Sequence, residues 1–158
     1  MRLDTIVLVF MMIPALCSAE NYEVSVTRKS SNLYKVDGAN VFIQTKYCYE
    51  YVYCEKAILK MHGYYGQIIF LGSGGKCDVG AVYGPAEQSP GKYLVNVSRV
   101  SDDWYVVLGT EIYIKTMACL SLALGNEAIL SISSGGYGRL HIDGHDCMVE
   151  GIYAKLEL

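Results

Sequence analysis

Proline is nearly missing from the chain, with three in 158 residues, and two of those, Pro85 and Pro90, fall close together. That scarcity excludes a proline-rich linker or a collagen-like repeat. It also leaves one obvious break in the chain, at Gly84 to Gly91. Phenylalanine and tryptophan are scarce too, at three and one, yet tyrosine is used 14 times. Such a bias suits half-buried β surfaces, where rings pack while hydroxyls reach water. Runs of like charge are absent: 13 basic and 16 acidic residues are scattered to a formal net charge of −3. This pattern offers neither the basic patch of a nucleic-acid binder nor a polybasic segment for an anionic membrane. Catalytic signatures are lacking as well. No Ser or Cys sits in a recognisable nucleophile context, and no Cys-x-x-Cys or Cys/His spacing of the zinc kind occurs.

At the amino terminus, Arg2 precedes an apolar run from Thr5 to Leu16 that ends in the small residues Cys17-Ser18-Ala19. This reads as a secretory signal cleaved after Ala19, although Asp4 is unusual beside the single Arg. The run is too short to span a bilayer, which takes about twenty residues, and no later segment is long and charge-free enough. Leu16 precedes Cys17 where lipidation needs a small residue, which disfavours a lipid anchor. A secreted or periplasmic protein with no membrane span is expected.

Sliding the chain against itself by about seventy residues reveals a tandem repeat. Tyr22, Val24, Val26, Arg28, Ser30, Tyr34, Val36 and Gly38 recur as Tyr93, Val95, Val97, Arg99, Ser101, Tyr105, Val107 and Gly109. Ile43, Thr45, Cys48, Ala57 and Leu59 recur as Ile114, Thr116, Cys119, Ala128 and Leu130, and Cys77, Val79 and Tyr83 as Cys147, Val149 and Tyr153. Residues 1–19 are therefore read as signal peptide, 20–84 as the first β repeat, 85–91 as linker and 92–158 as the second repeat. Each copy predicts about six short strands, from apolar/polar alternation punctuated by turn residues. Val41 to Tyr53, and its counterpart Glu111 to Leu124, reads as one long β run. Asp143-Gly144 is a hairpin signal. Helix formers at Cys54 to Met61 offer a helical alternative that Gly125 to Ile132 does not support. The fold class is all-β: a duplicated, roughly six-stranded antiparallel unit, arranged as two small barrels or one pseudo-two-fold sandwich.

Cysteine spacing matches between copies. One disulfide per unit follows, Cys48 with Cys77 and Cys119 with Cys147. Cys54 has no counterpart, because Gly125 takes its place. A buried free thiol is the favoured expectation for it, and an intermolecular bridge is the alternative, so the protein is a monomer or a Cys54-linked dimer.

Tyr47, Tyr49, Tyr51 and Tyr53 share one face at a period of two. The matching Ala118, Leu120, Leu122 and Leu124 favour a packed face, with an exposed aromatic binding surface as the rival. Arg28 and Arg99, each six residues before a matched Tyr, are expected to stack on that ring, with anion binding as the alternative. His141, Asp143 and His145, beside Asp146, form a weak metal candidate that reads better as a solvated hairpin tip. No cofactor is implied. The functional expectation is an exported, non-enzymatic binding or inhibitory module with a protein or carbohydrate partner and no nucleic acid. A small metal-dependent hydrolase at His141, Asp143 and His145, or a structural envelope component, is the alternative.

Overall fold

The computed structural model describes residues 19–158, so the secretory-signal expectation, with Cys17, lies outside the described residues. The first half holds β1 (Glu20–Ser30), β2 (Leu33–Val36), β3 (Phe42–Lys46), β4 (Glu55–His62), β5 (Tyr65–Phe70) and β6 (Lys76–Pro85). The second holds β7 (Gly91–Ser101), β8 (Trp104–Val107), β9 (Ile112–Met117), β10 (Leu124–Ile132), β11 (Gly138–Ile142) and β12 (His145–Lys155). All pairings are antiparallel. In the first half β6, β3, β2, β1, β4 and β5 pair in that order, and β5 returns to β6. β12, β9, β8, β7, β10 and β11 repeat the scheme, with β11 returning to β12. Each half is thus a closed six-stranded barrel, and closure leaves few unpaired edges.

Alternation fills each interior. Along β4, Ala57, Leu59 and Met61 are buried between exposed Lys56, Lys60 and His62. That period of two explains why strand prevails over helix propensity here: only an extended chain places all three apolar side chains on one side. Val26, Tyr34, Ile43, Leu59, Ile68 and Val79 share the first core, and Val97, Tyr105, Ile114, Leu130, Leu140 and Val149 share the second. Turns match as well. Gly38 and Gly109 take φ of 77° and 78° after β2 and β8, the left-handed region that glycine enters without steric penalty. Asp143 and Gly144 both have positive φ in the two-residue turn joining β11 to β12, as a type I′ hairpin requires.

The long β run expected from Val41 to Tyr53 is shorter in the structure. β3 stops at Lys46 and β9 at Met117, because Tyr47 and Ala118 adopt φ of 50° and 49° and turn the chain off the sheet. Residues 48–53 stay extended but leave the ladder.

The barrels meet through β6 and β12. Tyr83 faces Lys155, Gly84 faces Ala154 and Pro85 faces Tyr153. Gly84 and Ala154 are counterparts in the repeat, so a local two-fold axis passes between them and the contact is isologous. Hydrogen bonds bracket the axis evenly: Leu156 N donates to Val82 O and Ala86 N to Ile152 O, both at 2.8 Å. Around the axis lies a third core of Leu33, Phe42, Ala81, Tyr83, Trp104 and Tyr153. The Trp104 ring sits 5.2, 5.3 and 5.1 Å from those of Phe42, Tyr83 and Tyr153, within the range favoured by aromatic pairs.

Candidate functional site

Between β3 and β4 the extended segment presents alternate side chains to opposite sides. Cys48 and Val52 are buried, whereas Tyr47, Tyr49, Tyr51 and Tyr53 are 86%, 76%, 84% and 83% exposed. In the second barrel Cys119, Ser121 and Ala123 are buried beneath Leu120, Leu122 and Leu124, which are 87%, 78% and 88% exposed. The packed face favoured on the basis of the aliphatic counterparts is therefore not formed. Both copies hold a ledge of large apolar side chains in solvent, tyrosine in one and leucine in the other.

The backbone beneath each ledge is fastened by equivalent groups. Cys48 N donates to Asn32 Oδ1 at 2.7 Å, Tyr34 OH to Glu50 O at 2.8 Å, Arg28 N to Val52 O at 3.0 Å and Cys54 N to Thr27 Oγ1 at 3.0 Å. In the second barrel Cys119 N donates to Asp103 Oδ1, Tyr105 OH to Ser121 O, Arg99 N to Ala123 O and Gly125 N to Ser98 Oγ. The disulfides Cys48–Cys77 and Cys119–Cys147 tie both segments to the last strand of their barrel, with Cα separations of 5.5 and 5.2 Å. Burial raises the Tyr34 and Tyr105 pKa values against the opposing pull of Arg28 and Arg99. Both phenols therefore stay protonated and keep donating.

Arg28 distinguishes the two ledges. Its guanidinium carbon lies 3.9 Å from the centroid of the Tyr51 ring, Nε donates to Ser30 O, and Nη1 is buried with no partner among the described residues. The stacking expected on the tyrosine six residues later goes instead to Tyr51: Tyr34 lies opposite Arg28 on the neighbouring strand, but its ring is fully buried. Arg99 pairs with Asp102 at 3.2 Å, and the counterpart of Tyr51 is Leu122, which offers no ring. Beside Tyr51 and Tyr53, a cleft of about 530 Å3 opens onto Arg28, Lys29, Ser30, Ser31 and Val52.

Cys54 is exposed and has no disulfide partner among the described residues, which corrects the buried-thiol expectation. Its φ of 49° matches the 78° of Gly125, so it holds a left-handed backbone position that fixes the end of the ledge. The histidine constellation does not converge. His141 Nδ1 meets Asp146 Oδ1 at 2.8 Å, whereas Asp143 accepts from Ser121 Oγ at 2.6 Å and Asn126 Nδ2 at 2.7 Å. Among the described residues, no group of three or more His, Cys, Asp or Glu is arranged to hold a metal ion.

Asn32 and Asp103 are the important residues that sequence reasoning passed over. Their signal was an acid or amide at the matched turn position before Leu33 and Trp104, where such side chains tolerate positive φ and bond nearby backbone. Comparison with known proteins finds no family model, curated protein or solved structure that matches the chain.

Proposed function

We propose that the chain is an exported, non-enzymatic binding module whose working face is the tyrosine ledge, with Arg28 buttressing Tyr51. The exposure of four tyrosines on a covalently fastened backbone carries this reading. Exposed contiguous apolar side chains mark interaction sites. Tyrosine supplies large contact area for little conformational entropy, and fastening the backbone lowers the cost of binding further. Two disulfides in so short a chain are typical of oxidising compartments, which supports a secreted or periplasmic location. A protein surface is the favoured partner, because the leucine ledge of the second barrel suits apolar side chains better than sugars.

The test is capture from panels of envelope proteins, host extracellular proteins and glycans by the wild-type chain, compared with a variant carrying Tyr49→Ser, Tyr51→Ser and Tyr53→Ser. Because these side chains are in solvent, the variant should melt within a few degrees of wild type while losing at least tenfold in affinity for the captured partner. Retention of nothing across the panels, or equal binding by the variant, would sink the proposal.

A further inference from the structure

Lys29, Lys35 and Lys115 lie on β1, β2 and β9 and come from both barrels, yet they line one cavity of about 440 Å3 together with Phe42, Glu150 and Tyr153. The Lys35 and Lys115 ammonium groups lie 6.0 and 5.8 Å from the centroid of the Phe42 ring. Glu150, on β12, pairs with Lys115. Three ammonium groups thus face one carboxylate in a protein whose overall charge is −3. The Lys115 side chain is only 20% exposed. Burial lowers its pKa, Asp103 opposes, and Lys35 and Lys29 add to the lowering. Three ammonium groups are thus gathered against two carboxylates, Glu150 in the cavity and Asp103 near Lys115.

The local two-fold axis supplies an internal comparison. Across it Lys29, Lys35, Lys115 and Glu150 correspond to Val100, Val106, Gln44 and Gly80, none of them charged. There the space shrinks to about 10 Å3 between Leu33, Gln44, Tyr83, Val100, Ser101 and Trp104. Barrel docking therefore needs neither the lysines nor the cavity. We propose that this groove binds a small dianionic oxyanion of the phosphate-monoester class, with Lys29, Lys35 and Lys115 as point charges and Phe42 and Tyr153 as apolar walls. Lysine suits this task, as a compact ammonium on a flexible stem, and a phosphate monoester carries about −1.5 to −2 charges at pH 7. Such a ligand complements the net positive charge of the groove. The groove shares Lys29 with the cleft beside the tyrosine ledge, but Lys35, Lys115 and Glu150 line the groove alone, so Lys35→Gln tests it independently of the ledge.

Calorimetric titration of the whole protein with phenyl phosphate and with singly charged phenyl sulfate, at low ionic strength, tests the assignment. Saturable binding of phenyl phosphate, tighter than that of phenyl sulfate, is expected. Lys29→Gln and Lys35→Gln should each weaken it at least about fivefold, the equivalent of one pair of unit charges at contact in water. Glu150→Gln should strengthen it, and Lys92→Gln, on the exposed start of β7, should leave it unchanged. No saturable binding, an equal loss in Lys92→Gln, or weaker binding in Glu150→Gln would overturn the proposal.

Discussion

Tyr34 and Tyr105 are fully buried, yet each sends its hydroxyl out to the carbonyl of a surface segment, Glu50 O and Ser121 O. Replacing either by Phe keeps the ring in the core and removes one hydrogen bond whose acceptor lies under the ledge. A neutral bond of this kind contributes about 1 kcal/mol, more if the carbonyl stays dry. We expect Tyr34→Phe and Tyr105→Phe to lower unfolding free energy by similar amounts in urea titrations. A large cost for one and none for the other would show that the ledges are fastened differently. Residue-level legibility was uneven for the same reason. The recurrence of Tyr34 as Tyr105 marked both as core, but their hydroxyl bonds join positions 16 residues apart, and no local pattern records such a pairing. Lys29, Lys35 and Lys115 left no trace either, since each is unmatched in the repeat and the cavity exists only once two barrels meet.

Among the elements, strand positions were the easiest to read, because a closed barrel forces strict alternation and the repeat displays each strand twice. The segment from Tyr47 to Tyr53 was harder. Its period of two was real, but in a sheet that period separates core from solvent, whereas here it separates a disulfide-anchored side from an open one. Aliphatic counterparts implied packing only on the assumption that leucine is inside, and exposed apolar side chains are common enough to defeat that assumption. The anchoring predicts a consequence. Replacing Cys48 and Cys77 together by Ala opens a loop of 29 residues and should cost roughly 3 to 4 kcal/mol on the chain-entropy account. Hydrogen exchange should then show the amides at positions 48 and 54 losing protection before those of β1 and β4. Uniform loss across the barrel would mean that the disulfide stabilises the unit globally and does not specifically hold the ledge.

At the scale of the whole molecule, the repeat left two arrangements open, and the aromatic core on the axis shows which one forms and why. Leu33, Phe42, Tyr83, Trp104 and Tyr153 are too many large apolar side chains for either barrel to cover alone, so docking follows from burying them. The chain then crosses over. After β12, Leu156 and Leu158 leave their own barrel and pack on the first core, where Leu158 and Gly63 exchange two backbone hydrogen bonds of 2.7 and 3.0 Å. Ala86 makes the matching crossing onto the second core with a far smaller side chain. The first barrel thus depends on residues 156–158 more than the second depends on 86–88. Two half-buried leucines contribute on the order of 2 kcal/mol together. Removing residues 156–158 should therefore lower stability by about that amount and speed amide exchange around Gly63 and along β5. Exchange along β10 and β11, in the second barrel, should remain as in the full chain. If both barrels loosen equally, the two halves unfold as one cooperative unit and the crossing segments serve the interface as a whole.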